Sequence, residues 1–218
     1  MITAHQLVFG RKYSISSGNY YLNDVLQQST VNGKVFLVSG PKNNIPAYQF
    51  GLGNIVTQLL PISSVWSISF WVKSNLNTLQ ILLELGTTWD IGDSLLAMIS
   101  YTNNNKISAG ISNLSPLHNY QIAPNNNIND NSWKHIVLIL DKTGIDYYTE
   151  TKIYINGILQ TSSLIFGNGT SSGNFISDKL YYGGRSNSYQ YPTNGLLSIP
   201  KLYNRALNQT EITNLYNE

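Results

Sequence analysis

The segment WSISFWVK, residues 66–73, alternates strictly: Trp66, Ile68, Phe70 and Val72 fall on one side, and Ser67, Ser69, Trp71 and Lys73 on the other. A period of two is the mark of a half-buried strand, because successive side chains point to opposite faces of a pleated backbone. Trp71 is the one residue that interrupts the polar side. Related runs occur in KVFLVSG, LQILLELG, SLLAMISYT, KISAGIS, WKHIVLILD, TKIYINGILQT, DKLYYGG and GLLSIPKLY, parted by Gly, Pro, Asn and Asp clusters that favour turns. The pattern predicts about a dozen strands.

No helical pattern of ten to fifteen residues alternates with these runs, so antiparallel sheets packed face to face are expected rather than a parallel sheet with crossover helices. The fold class predicted is all-β, a two-sheet antiparallel sandwich. Residues 103–107 and 123–132 read as loops short enough to sit inside one domain, so residues 1–218 are expected to form a single domain. In TKIYINGILQT, Asn156-Gly157 between β-prone arms predicts a type I′ hairpin, since both residues tolerate left-handed backbone angles.

The last residues, KLYNRALNQTEITNLYNE, read as a strand, a corner and one short helix. Asn208 is an N-cap, and Glu211 three residues on completes a capping box. Ile212, Leu215 and Tyr216 then form an apolar stripe on a helix too short to persist in water without a docking surface.

Composition narrows the function classes. Charged residues are 11% of the chain, less than half the usual share of about 25%. The net charge of +2, with no basic run, gives no footprint for nucleic acid or anionic lipid. Apolar runs such as QILLEL (80–85) and VLIL (137–140) fall far short of the roughly 20 residues a spanning helix needs, so membrane insertion is not expected. The first residues lack a basic segment followed by an apolar one, so no secretory signal is expected and localisation stays open. Zero cysteines exclude disulfides and thiolate metal sites and lean towards a reducing compartment. The N-x-S/T triplets at Asn113, Asn168 and Asn208 carry no weight in a chain this rich in Asn, Ser and Thr.

Four segments in order, WSISFWVKS, NSWKHIVLILDKTG, TKIYINGILQ and YYGGRSN through NGLLSIPKLYNRALNQTEITNLYN, resemble the laminin-G-like, concanavalin A-like family of jelly-roll domains. The resemblance covers roughly residues 60–218, with the first 60 expected to supply the early strands. It implies a jelly-roll sandwich in which the final strand and helical turn close the domain, with Tyr203, Leu207, Ile212 and Leu215 packing rather than binding. Relatives often carry an acidic pair after the closing glycine; here Gly195 is followed by Leu196, Leu197, Ser198, Ile199, Pro200 and Lys201. Pro200 removes a ladder donor, which predicts an edge strand or a bulge.

Candidate chemistry is sparse. Some family members bind calcium through loop oxygens; Asp90 and Asp93 in TTWDIGDS, with Asp130, are the candidate ligands here, set against solvated loop carboxylates. No other cofactor is expected. The E-x-D-x-E spacing of a glucanase is absent from the 11 acids, so catalysis is not expected. The histidines, His5, His118 and His135, show no metal or triad spacing, and His135 reads as a strand residue with a satisfied ring. Gly51-Leu52-Gly53 lacks the setting of a nucleotide loop.

Aromatics lead further. The doublets Tyr20-Tyr21, Tyr147-Tyr148 and Tyr181-Tyr182 should each bury one ring and expose the other. Trp66 and Trp133 read as core, whereas Trp71 and Trp89 either stand exposed or pack under loops. GRSNSYQYPTNG places Tyr189 and Tyr191 beside Arg185, Asn187, Gln190 and Asn194, rings that stack on a sugar face and amides that bind its hydroxyls; the alternative is a tyrosine-capped rim or a protein contact. The expectation is a non-catalytic recognition module, glycan-binding or adhesive, gaining strength from multivalent display on a virion or other surface. The alternative is a structural virion component, in capsid decoration or tail, working through protein partners or self-assembly without sugar.

Overall fold

The structure, a computed structural model, describes residues 13–14, 17–22, 25–42, 45–57, 60–76, 78–86, 95–100, 106–112, 118–122, 128–143, 151–161, 163–166, 173–175, 179–185 and 192–218. Its strands are β1 (Tyr13–Ser14), β2 (Ser17–Leu22), β3 (Val25–Ser39), β4 (Pro46–Thr57), β5 (Val65–Lys73), β6 (Gln80–Leu85), β7 (Leu95–Ser100) and β8 (Lys106–Ser112). They continue as β9 (His118–Ile122), β10 (Lys134–Asp141), β11 (Lys152–Ile155), β12 (Ile158–Leu159), β13 (Ser163–Phe166), β14 (Leu180–Tyr182), β15 (Leu196–Ser198) and β16 (Lys201–Tyr203). One helix, α1 (Gln209–Asn217), follows. Among the described residues no helix is long and apolar enough to cross a membrane.

The strands run β12-β11-β10-β5-β16-β2-β3-β4-β14-β6-β7-β8-β9-β13, with β15 bridging β4 and β5. Every pairing is antiparallel except β16 with β2. The sheet curls over on itself. Ile68 and Phe70 of β5, Ile136 and Leu138 of β10 and Ile153 of β11 share one apolar cluster with Leu83 of β6, Ile107 of β8 and Leu180 of β14, strands that share no ladder with them. Phe70, Tyr182 and Phe50 lock this core edge to face, at 6.0 and 5.8 Å between centroids, a geometry that aligns ring edges with ring faces. The antiparallel sandwich expected from alternation, and the jelly roll that the resemblance implies, are thus the observed architecture.

The 156–157 turn has the expected form, with φ of 52° at Asn156 and 79° at Gly157. Pro200 marks a bulge. Leu197 faces Val72 and Lys201 faces Ser69, four steps on the β15–β16 side against three on β5. Ser198 Oγ accepts from Trp71 N at 2.8 Å, filling the ladder place that the bulge vacates.

α1 docks on the outer side of β5 and β10. Ile212 and Leu215 join Val137, Ile139, Tyr154, Tyr203 and Leu207 in a second apolar cluster. The capping box is complete: Asn208 Oδ1 accepts from Glu211 N at 3.0 Å, and Asn208 N donates to Glu211 Oε2 at 2.9 Å. Arg205 grips both Glu211 oxygens, and it is chiefly this contact that holds the carboxyl down at about 2. At the other end Lys42 Nζ donates to Tyr216 O at 2.7 Å, a cation on the negative pole of a helix whose own last turn holds no base. Tyr203, Leu207, Ile212 and Leu215 are all buried, the packing role expected of them.

Candidate functional site

Two regions gather candidate chemistry. The first is the rim between β14 and β15. Gly183 begins it at φ 87°, where a side chain would strike the Phe50 ring, so the chain leaves β14 as only glycine permits. Thr193 N donates to Gly183 O at 3.0 Å and pinches the segment shut. Thr193 Oγ1 donates to Ile81 O, and Asn194 N donates to Gln80 Oε1, both at 2.8 Å, tying the return limb to β6. Gly183, Thr193 and Asn194 are thus fastened to the sandwich at the two ends of this segment.

Of the expected rim residues, Arg185 and Asn194 are described; Asn187, Tyr189, Gln190 and Tyr191 lie outside the described residues. Arg185 turns inward. Its Nε stands 3.7 Å from Oε1 of Glu84, a fully buried carboxylate on β6, and its carbonyl accepts from Asn54 Nδ2 at 2.8 Å. This placement fits a residue that anchors the rim. Asn194 is exposed beside it.

The expected oxygen ligands divide likewise, with Asp90 and Asp93 outside the described residues. Asp130 is exposed, and its Oδ1 accepts from Ser132 N at 2.9 Å and Ser132 Oγ at 2.6 Å. Its Oδ2 pairs with Lys134 at 2.9 Å. These partners, Ser132 first, pull its carboxyl down to about 2, so both oxygens are engaged locally. Among the described residues no three His, Cys, Asp or Glu side chains converge as a metal would need.

The second region is an outer-face groove of about 430 Å³ between the end of α1 and the Pro200 bulge. Trp71, Ile199 and Leu215 supply apolar wall; Ser69, His135, Lys201 and Glu218 supply polar groups. Trp71 is buried under the helix rather than exposed, stacked on Tyr216 at 5.7 Å and 26° and flanked by His135 at 5.0 Å. Lys42 Nζ sits 5.1 Å from the Trp71 ring centre, a cation–π contact. Lys201 and Glu218 form a half-exposed ion pair at the mouth.

His135 is 1% exposed. Its Nε2 shares a 2.9 Å hydrogen bond with Ser69 Oγ, while its Nδ1 is buried without a hydrogen-bond partner, so the ring expected to be satisfied is half so. Burial first, then the nearby Lys42 and Lys201 charges, push the imidazole down to about 3, keeping it neutral near pH 7. Sequence spacing misses this groove because its residues come from β5, β10, the 198–201 bulge and α1. The one signal was Trp71 on an otherwise polar face. Trp66 is core as expected; Trp133 is half-buried, and Tyr181 is half-buried beside a buried Tyr182. Trp89 and Tyr147-Tyr148 lie outside the described residues.

The family profile of the concanavalin A-like lectin/glucanases superfamily matches residues 50–213. No curated protein sequence matches the chain significantly. Among solved structures, domain 4 of AbnA, a GH43 extracellular arabinanase from Geobacillus stearothermophilus in complex with arabinotriose, superposes with a TM-score of 0.63 at 18% identity, covering 86% of this chain and 87% of that one. The heptameric SAP-like pentraxin of Limulus polyphemus gives 0.58 at 13% identity, covering 85% and 81%. The Ruminococcus gnavus IT-sialidase CBM40 bound to α2,3-sialyllactose gives 0.52 at 17% identity, covering 71% and 83%. At these identities the likeness concerns the fold.

Proposed function

The chain belongs to the concanavalin A-like lectin/glucanase superfamily, and from that membership we propose that it is a non-catalytic recognition module binding glycans through the rim between Gly183 and Gly195. The observation that carries this reading is the fastened base of the rim: Thr193 closes it onto Gly183, and Arg185 is drawn in against Glu84. A polar, tyrosine-bearing segment held on a rigid sandwich meets a saccharide without first having to order its own support. The carboxylate at this rim, Glu84, is buried against a guanidinium, an arrangement suited to holding a loop and not to proton transfer. The arabinotriose and sialyllactose complexes of similar folds support a saccharide as the ligand class.

Single-site sugar contacts are weak, so function rests on display in several copies. A glycan array probed with tetramerised protein should give saturable signal on a defined set of saccharides. Tyr189→Ala and Asn194→Ala should each remove that signal without moving the melting temperature, and EDTA should leave it unchanged. Silence of the parent protein across the array would sink the reading.

A further inference from the structure

We propose that the saccharide site does not end at the rim but continues across the 74–78 and 128–132 turns, so that its ligand is a short oligosaccharide rather than a single sugar. This rests on the glycan reading of the rim and extends it. The rim's return limb enters β15, where Leu196 faces Lys73 and Leu197 faces Val72 of β5; Val72 in turn faces Lys134 of β10. Three neighbouring strands therefore end side by side: Asn194 precedes β15, Ser74 follows β5 and Ser132 precedes β10. At about 4.8 Å per strand, the row spans roughly 10 Å from the rim limb to the 128–132 turn. One sugar ring does not reach across it; a short chain does.

The row is joined from beneath. Gln80 is fully buried. Its Oε1 accepts from Asn194 N at 2.8 Å, and its Nε2 donates to Ser74 Oγ at 3.2 Å and to Leu76 O at 3.3 Å. Leu76 O also accepts from Asn129 Nδ2 at 3.4 Å, and Ser74 O accepts from Asn131 N at 2.9 Å. The rim limb is thus set against the 74–78 turn, and that turn against the 128–132 turn. Gly195 permits the fit, since a Cβ there would come within 2.5 Å of Lys73 O. A ligand lying along the row meets a surface that is already ordered.

What this frame presents outward is amide and hydroxyl. Asn75, Thr78, Asn131, Ser132 and Asn194 are exposed. Amides and hydroxyls both donate and accept, as sugar hydroxyls do. Asp130, the one acid among the described residues of these turns, is engaged by Ser132 and Lys134. No pair of carboxylates is therefore offered for glycosidic cleavage here, and the row suits binding alone. None of the exposed large apolar side chains among the described residues, Leu52, Ile62, Ile158 and Leu159, lies in these turns, so the row lacks the apolar anchor that a protein partner would grip.

The test is titration of the full chain, read by amide NMR, with arabinose, arabinotriose and the single-unit and three-unit forms of each saccharide that signals on the array. Three-unit forms should bind at least about tenfold more tightly, the gain of one or two added hydrogen bonds. The double variant Asn75→Ala with Asn131→Gly should remove that gain, leaving the single unit bound as in the parent and the melting temperature unchanged. Glycine is chosen at 131 because the backbone there is left-handed, with φ of 61°. Tyr189→Ala should weaken both lengths. Equal affinity for the two lengths, a gain that survives the double variant, or equal loss of both lengths in that variant would each overturn the extended site. Array silence of the parent is the failure of the rim reading and takes the extension with it. Signal that Tyr189→Ala removes while the double variant spares every length sinks the extension alone.

Discussion

On the inner face of β5, Trp66, Ile68, Phe70 and Val72 meet the opposing layer with apolar surface alone; on the outer face, Ser67, Ser69 and Trp71 are buried almost as deeply beneath polar pairings and α1. Ser67 Oγ donates to Arg205 O at 2.7 Å and accepts from Leu207 N at 3.1 Å, and Ser69 reaches His135. The inner face closes by volume and tolerates any well-fitting hydrocarbon. The outer face closes through specific partners, so it has a groove, a buried imidazole and a docked helix. Burial by hydrocarbon makes a core, whereas burial by hydrogen bonds and a docked helix leaves room for chemistry.

The contrast can be broken most sharply from the inside. Phe70→Ala should lower the unfolding free energy by about 3–5 kcal/mol, read by urea denaturation, because it opens a cavity where three rings meet. A loss under about 1 kcal/mol would show that the inner face is not the tightly packed one.

On the outer face, Ile212→Ala should cost about 2–4 kcal/mol and should raise amide exchange in α1 more than in the β10 ladder. Uniform acceleration across both would mean that the two faces are one cooperative unit.

The pH response separates the faces next. The folded state holds His135 at about 3 against an ordinary 6.5, so below pH 6.5 the unfolded chain takes up a proton that the folded one refuses. Stability is therefore complete above 6.5 and falls as pH drops towards 3, by about 1.4 kcal/mol per pH unit within the window. Asp130 and Glu211, held down from 3.8 and 4.5 to about 2, add losses only below their ordinary values. The slope between pH 6.5 and 4.5 should thus vanish in His135→Gln, and a slope that survives there would remove His135 as its source.

The smallest effect expected is at the cap. Asn208→Ala should cost about 1 kcal/mol, visible as fraying of the first turn of α1 in exchange measurements with β5 unaffected.

Local rules sufficed where one residue answers to its neighbours in sequence. Alternation placed β5, β6, β8 and β10, the Asn156-Gly157 pair placed its hairpin, and Asn208 with Glu211 placed the helix start, all matching the structure. β4 escaped because Gly51, Gly53 and Pro46 mask a strand whose pairing with β3 is broken by a bulge at Gly33–Val35. The rim was visible as a polar, tyrosine-bearing segment, but the inward turn of Arg185 was not, since Glu84 lies a hundred residues earlier in the chain. The groove was invisible for the same reason.

The pattern of apolar and polar positions by itself determined the all-β class, the inner face of each main strand and the capped terminal helix, because side-chain direction in strands and the first-turn N–H groups of helices are set by adjacent residues. Only the tertiary structure decided that the polar face of β5 would also be buried, that Lys42 would finish the far end of α1, and that His135 would stand neutral beside a cavity. Those outcomes depend on which distant elements meet, and desolvation acts on a group only once its neighbours have arrived.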